Sequence, residues 1–278
     1  MTIYLTDYRT ICQTETELLD DVVFPQRVHW FPELYKNKDS GMVYAPHKLA
    51  ERVLDPELLK RLRDRQAKTA FILASGSTNF GGICSWPTKD SRLTYGYKML
   101  PMTLTPVYAG RIAQMCGAQD LVTTDSSACA SSLKVMNDVT YYINHLGFDR
   151  VVVLGLEDQI NDKSLQFFGE SGACNTQETD YSGKKPSAFD KVNGGFYVGQ
   201  GAVLAVFESG RIAKSAHARL LGAGMGSEQS TNAIGQRPDG QGFVNAMTMA
   251  MRSAALSPID IDLVKTHGTG TDSNNKAE

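Results

Sequence analysis

Apolar residues fall in short blocks along this chain, and the blocks alternate between two periods. Residues 70–74 (Ala-Phe-Ile-Leu-Ala) and 149–155 (Asp-Arg-Val-Val-Val-Leu-Gly) are near-continuous apolar runs of strand length, which predicts strands buried on both faces. Residues 121–124 are apolar or β-branched and predict a third strand. Residues 3–5 predict a short strand followed by a turn, 200–208 a further strand, 216–223 its hairpin partner, and 261–265 a last one. Helical spacing occurs between them. Asp55-Pro56 starts a helix with Leu58, Leu59 and Leu62 on one face, since Asp caps well and Pro fits the first turn. Residues 105–116 form a helix of small and apolar residues. Leu133, Val135, Met136, Val139 and Ile143 recur at helical spacing, as do Phe243, Met247, Ala250, Met251 and Ala254 before Ser257-Pro258. Residues 20–50 are aromatic-rich without a period, and 174–198 and 224–242 read as polar, turn-rich connections. Strand and helix in alternation predict an α/β protein with a mostly parallel sheet.

Composition narrows the classes. The chain has 278 residues, 42% of them hydrophobic, and a formal net charge of −2, so nothing marks it for nucleic acid or an anionic membrane. No apolar run is long enough to span a bilayer, and the first residues lack a basic stretch followed by an apolar one. Five scattered cysteines without a C-x-x-C pair predict no zinc site, no disulfide framework and a reducing, cytoplasmic setting. The loop Ser75-Gly76-Ser77-Thr78-Asn79-Phe80-Gly81-Gly82 lacks the Lys-Ser/Thr of a phosphate-binding P-loop.

Two residues carry candidate chemistry. Cys129 sits between the predicted strand at 121–124 and the predicted helix after it, among small neighbours that leave a substrate room. A helix N-terminus favours a thiolate and offers amides to a developing oxyanion. The bland alternative is a buried structural cysteine. His267 comes just after the predicted last strand, inside Thr266-His267-Gly268-Thr269-Gly270-Thr271. Its bland alternative is a surface side chain. If the two strand–helix units are duplicated, Cys129 and His267 could face one cavity, and a thiol with an imidazole would serve acyl transfer.

These residues resemble a known family. Ser127-Ala128-Cys129-Ala130-Ser131-Ser132 resembles the active-site cysteine motif of the β-ketoacyl synthases, the condensing enzymes of fatty-acid and polyketide assembly. His267-Gly268-Thr269-Gly270-Thr271 resembles their H-G-T-G-T motif, and Lys276-Ala277-Glu278 resembles the residues just downstream of that motif. The segment from Phe189-Asp190 through Gly194-Gly195-Phe196 to Gly199-Gln200-Gly201-Ala202 is similar to their F-D-x-x-R-D-G-F-x-x-G-E-G-A.

The resemblance implies a thiolase-like layered α-β-α-β-α fold of two duplicated halves. The expected division is a first half over 1–210 carrying the nucleophile and the start of a second over 211–278. The implied chemistry is acyl transfer to Cys129, then decarboxylative Claisen condensation with a malonyl thioester. His267 would assist decarboxylation, the amide of Cys129 would give one oxyanion donor, and Thr269 and Thr271 would hold the pantetheine arm. Met99 would lie against the acyl chain. The implied partners are an acyl carrier protein and a second subunit, in a homodimer or a synthase heterodimer, with no resident cofactor or metal beyond substrates carried on phosphopantetheine. The sequence departs from the pattern at Asn275, at Gln200 and in lacking T-G-x-G near residue 3. The lysine and second histidine that the family places downstream of H-G-T-G-T do not occur before Glu278, so the second half is expected to be incomplete. Three explanations stand: a truncated chain, a subunit completed by another chain, or a non-condensing protein. The corresponding alternative functions are a non-catalytic thiolase-fold partner and a Cys acyltransferase without condensation.

Overall fold

The computed structural model describes residues 1–12, 17–19, 26–29, 46–64, 66–77, 104–160, 162–174, 187–190, 194–230 and 235–278. In chain order its strands are β1 (Ile3–Cys12), β2 (Glu17–Leu19), β3 (Gln26–His29), β4 (Thr69–Ala74), β5 (Leu121–Asp125), β6 (Arg150–Asp158), β7 (Val198–Ser209) and β8 (Ala218–Leu220). Its α-helices are α1 (Pro46–Glu51), α2 (Pro56–Leu62), α3 (Thr105–Cys116), α4 (Ser131–Asn144), α5 (Asp162–Glu170), α6 (Gln241–Ala254) and α7 (Asp272–Ala277). The chain divides into two compact units that interleave along the sequence. The first is Met1–Thr14, Trp30–Ser164 and Gly199–Leu220; the second is Glu15–His29, Leu165–Val198 and Leu221–Glu278.

The first unit is built on a mixed sheet. β5, β4 and β6 run parallel, with Ala70 opposite Leu121 and Val151. β7 is antiparallel to β6, β1 is antiparallel to β7, and β8 is antiparallel to β1. Alternate residues of the central strands point to opposite faces. Phe71, Leu73, Val152 and Leu154 pack with Leu49, Leu58, Leu62, Tyr108, Ile112 and their neighbours on α1, α2 and α3. Ala70, Ile72, Val151 and Val153 pack with Val135, Val139 and Ile143 of α4 on the other. Two buried faces explain why these strands read as unbroken apolar runs. The helix termini reflect the sequence chemistry. Asp55 caps α2 by accepting from Leu58 N at 2.8 Å. Gly117 ends α3 in the left-handed region, at φ 72°.

A chain of ions crosses the lower edge of this sheet. The buried Arg150 guanidinium donates to Glu208 at 2.8 Å, Arg61 reaches Glu208 at 3.3 Å and Asp7 at 2.9 Å, and Arg9 bonds Asp7 and Asp55. Reciprocal partners keep the buried charges from standing alone.

The second unit has a different construction. β2 and β3 form an antiparallel pair, Leu18 opposite Arg27. The segment Leu221-Gly222-Ala223-Gly224-Met225-Gly226 lies along α6, glycine side inward. A Cβ on Gly222 would stand 2.8 Å from Ala250 O, and one on Gly224 would meet Ala246 O and Ala250 N. Ser253 Oγ donates to Ala223 O at 3.0 Å. Backbone thus packs on backbone against Gly242, Ala246, Ala250 and Ala254, small residues at four-residue spacing on α6.

Several expectations need correcting. The first strand runs to Cys12 rather than turning after Leu5, with a register shift between Leu5 and Asp7. β8 is three residues long and pairs with β1, which lies between it and β7, so the hairpin of 200–208 with 216–223 does not form. The sheet is consequently mixed rather than mostly parallel. Residues 261–265 are not a strand: among the described residues no ladder flanks them, and Leu263 is 84% exposed. Leu133 is 77% exposed and lies off the buried face of α4, which runs Ser131, Val135, Val139, Ile143. Residues 20–50, irregular by pattern, include β3 and α1.

Candidate active site

Cys129 is exposed and occupies a short 3-10 turn, Ala128–Ala130, between β5 and α4. The turn is tightly specified. Ala128 has φ 49°, a left-handed conformation that costs a non-glycine residue energy unless its surroundings enforce it. Ser127 N donates to Asp125 Oδ1 at 3.1 Å and to Ser131 Oγ at 2.9 Å, and Ser131 Oγ donates to Ala128 O at 2.6 Å. Asp125 is in turn paired with Lys134 on α4. The strand end, the turn and the first helical residues are therefore one hydrogen-bonded unit with the sulfur at its surface.

The sulfur lines an open cavity of about 550 Å3 in the first unit. Small residues, among them Gly155, Gly201 and Ala202, line it beside Met136 and Val203. The space at Gly155 is tight, since a Cβ would stand 3.0 Å from Ser132 Oγ at the start of α4. Cys12 lines the same cavity, a residue to which sequence pattern alone gives no place. The other described cysteines are inert by environment: burial pushes the thiols of Cys116 and Cys174 up to about 12.

The cavity also holds a group that sequence reasoning misses. Glu157, at the end of β6, accepts from Gly76 N at 2.8 Å, Ser75 Oγ at 3.2 Å, Ser77 N at 3.3 Å, Ser77 Oγ at 3.1 Å and Gln159 Nε2 at 3.2 Å. Burial pushes its pKa up, against the pull of the Gly76 amide and the serine hydroxyls. The only signal in the sequence is a pair of acidic residues, Glu157-Asp158, closing an apolar strand.

His267 lies in the second unit, exposed. Its loop is held from both sides. His267 N and Gly268 N donate to the Glu278 carboxylate, the latter at 3.0 Å, and Asn274 Nδ2 donates to the same group at 2.7 Å. Burial pushes the Glu278 pKa up, but the Gly268 and His267 amides and Asn274 outweigh it, and the net shift is down. Gly268 and Gly270 take φ 64° and 71°, which a side chain would strain. The Thr269 and Thr271 hydroxyls are half-buried and 3.0 Å apart. The glycine segment near residue 194 closes on this loop: Gly195 N donates to Gly270 O at 3.0 Å, and Phe189 N donates to Asn275 Oδ1 at 3.1 Å. So the structure brings together two of the three motifs in the second unit, while Cys129 belongs to the first. Gln200 is buried and donates to Asp158 at 2.7 Å. Met99 and residues 191–193 lie outside the described residues.

Comparison with known proteins decides the family. Residues 42–213 match the model of the β-ketoacyl synthase N-terminal domain, and residues 217–278 match that of its C-terminal domain. The chain belongs to the β-ketoacyl synthase family. The mitochondrial 3-oxoacyl-[acyl-carrier-protein] synthase of Arabidopsis thaliana is 30% identical over 238 residues, covering 82% of this chain and 51% of that protein. The 3-oxoacyl-[acyl-carrier-protein] synthase 2 of Rhizobium meliloti is 26% identical over 86% of this chain and 58% of that protein. This synthase-family chain spans about half the length of the curated relatives it matches. Among solved structures, a type II PKS acyl-carrier protein in complex with its ketosynthase matches at TM-score 0.80 and 17% identity, over 99% of this chain and 75% of that one. A β-ketoacyl synthase from Burkholderia phymatum matches at TM-score 0.74 and 16% identity, over 100% and 76%. The layered α/β fold of the ketosynthases is thereby shared. Among the described residues, no helix is long and apolar enough to cross a membrane.

Proposed function

We propose that this chain carries the nucleophile of a β-ketoacyl-[acyl carrier protein] synthase. The observation that supports it most is Cys129, exposed on a strained strand-to-helix turn and lining an open cavity. In the first half-reaction the Cys129 thiolate attacks the carbonyl of an acyl thioester. The C–S bond to the carrier breaks, the acyl group passes to Cys129, and the carrier leaves as a thiol after taking up a proton. In the second, a malonyl thioester loses carbon dioxide and its enolate carbon attacks the acyl-Cys129 carbonyl. The new C–C bond expels the Cys129 thiolate and releases a β-ketoacyl thioester.

His267 is assigned to the second step, donating to the enolate oxygen as carbon dioxide departs. Thr269 and Thr271 are assigned to the pantetheine arm, exchanging their mutual contact for amide and carbonyl groups of the substrate. Met99 is assigned to the acyl chain. The assignments require sulfur and imidazole to reach one substrate. One solved neighbour is an acyl-carrier protein in complex with its ketosynthase, which supports acyl carrier protein as the donor. Another is a ketosynthase in complex with its chain length factor, which supports a second synthase subunit, like or unlike, as partner; no resident cofactor or metal is needed. The chain is assigned to the cytoplasm, its first 210 residues forming the nucleophile half and 211–278 opening the second.

The test is intact mass after incubation with acyl-carrier-protein thioester, then with malonyl thioester. The expected results are an acyl adduct on the wild type, none on Cys129→Ala, and a normal adduct on His267→Ala with malonyl decarboxylation reduced about a hundredfold or more, the range typical of a lost general acid or base. An adduct on the wild type without any β-keto product favours a Cys acyltransferase. No adduct, on the protein at its proven full length, overturns the catalytic assignment and leaves a non-catalytic partner subunit.

A further inference from the structure

We propose that Glu157 is a positioning residue for the Cys129 turn, acting through the Ser75–Gly76–Ser77 backbone. The inference rests on Cys129 being the nucleophile.

Three strand ends meet at this point. β4 runs out into Ser75, β5 into the nucleophile turn, and β6 into Glu157. Glu157 accepts five hydrogen bonds, four of them from residues 75–77. Its outer partner is itself fixed, since Gln159 also bonds Ser77 Oγ and its oxygen accepts from Ser164 Oγ at 2.8 Å. The same three residues then hold the nucleophile segment. Ser75 N donates to Asp125 O at 3.0 Å, and Ser126 Oγ donates to Gly76 O at 3.0 Å. Gly76 is wedged between the two: a Cβ there would stand 2.9 Å from Glu157 Oε2 and 3.2 Å from Ala128 O. The strained residue, Ala128, thus presses on a glycine whose amide is pinned by the carboxylate.

A positive φ at a non-glycine residue persists only where its neighbours over-determine it. Asp125, Ser127 and Ser131 supply that from the α4 side, and Glu157 supplies it from the sheet side. The carboxylate suits the position because every group facing it, Gly76 N, Ser77 N, both serine hydroxyls and the Gln159 amide, donates. An amide in its place must turn an N–H₂ toward at least one donor.

The experiment alkylates the folded protein with iodoacetamide across the neutral to alkaline range and tracks the Cys129 and Cys12 peptides separately by mass. Cys12 lines the same cavity but belongs to β1, so it reports general opening. In Glu157→Gln, Cys129 alkylation is expected to fall about tenfold with Cys12 unchanged, while acyl transfer falls about a hundredfold as expected for a nucleophile displaced by about 1 Å. Gly76→Ala should do the same with Glu157 intact. Ser77→Ala removes one of the five donors to Glu157 and the Gln159 contact at a half-exposed site, keeps the fold, and should reduce Cys129 reactivity about two- to threefold on the same positional scale. A folded Glu157→Gln or Gly76→Ala with the wild-type Cys129-to-Cys12 ratio overturns the inference. If Glu157→Gln does not fold, an unchanged ratio in Ser77→Ala overturns it. Wild-type protein that takes no acyl group, yet shows these alkylation changes, sinks the synthase reading and leaves the placement of the turn by Glu157 standing.

Discussion

The two units hold themselves together by opposite means. The first buries whole side chains on both faces of a sheet: Phe71, Leu73, Leu154 and Leu204 have essentially no exposed surface. The second, over residues 221–278, has its glycine segment against a small-residue stripe on α6, and most of its large apolar side chains are exposed. Met247 is 48% exposed, Leu263 84% and Ile259 91%. The lesson is that the two ends of the same motif set tolerate change differently. In the core of the first sheet the penalty lies in losing volume; around α6 it lies in adding it.

The largest expected effect is Leu154→Ala, which should cost about 2–5 kcal/mol by the usual loss on emptying a core site. Urea unfolding monitored by near-ultraviolet circular dichroism reads it. Next is Gly224→Ala, where one methyl would have to displace helix backbone; a cost of about 1–3 kcal/mol is expected, as for other overpacked sites. Hydrogen exchange should show it as lost protection over residues 241–254 with the central strands unaffected. Equal loss in both units would break the contrast. Leu263→Ala, the same side-chain deletion as in Leu154→Ala but at an exposed site, should change stability by less than about 0.5 kcal/mol.

The cysteines sharpen the comparison chemically. Iodoacetamide at mildly alkaline pH should label Cys129 and Cys12 and spare Cys116 and Cys174, whose thiols burial holds protonated. Labelling of Cys116 in native protein would show the first core to be looser than its packing. The smallest effect is a pH response in the second unit. The Glu278 carboxylate titrates below its ordinary value, so its support of the His267–Gly268 loop is complete above about pH 4.5 and is lost as pH falls through the lowered folded pKa. Gly268 amide exchange should accelerate in that acid window in the wild type and should be fast at all pH in Glu278→Gln.

What is legible in the chain divides along the same line. The strands at 70–74, 121–124 and 149–155 and the helix at 105–116 are readable because burial on both faces and small-residue spacing are local signals. The position of Cys129 between strand and helix is readable for the same reason, and so is the glycine-flanked loop of His267. The extent of β1 is not, because residues 6–12 (Thr-Asp-Tyr-Arg-Thr-Ile-Cys) mix polar and apolar side chains and owe their strand to β7. Residues 261–265 fail in the opposite direction: β-branched composition favours a strand but supplies no neighbour. Glu157 is invisible because its meaning lies in donors 80 or more residues earlier in the chain. The glycines at 222, 224 and 226 suggest flexibility when met in sequence, whereas their spacing of two marks one face of an extended segment lying on a helix.

The pairing of β1 has a consequence for biosynthesis. Ile3 sits opposite Ser209 on one side and Leu220 on the other, so this segment, synthesised well before both, has no sheet to join until nearly all of the first unit has emerged after it. The parallel trio β5-β4-β6 is complete much earlier and can seed the layer, while β1 waits and docks late, between β7 and β8. A nascent chain arrested before residue 200 should therefore protect the middle of this domain from protease and leave its beginning open to cleavage.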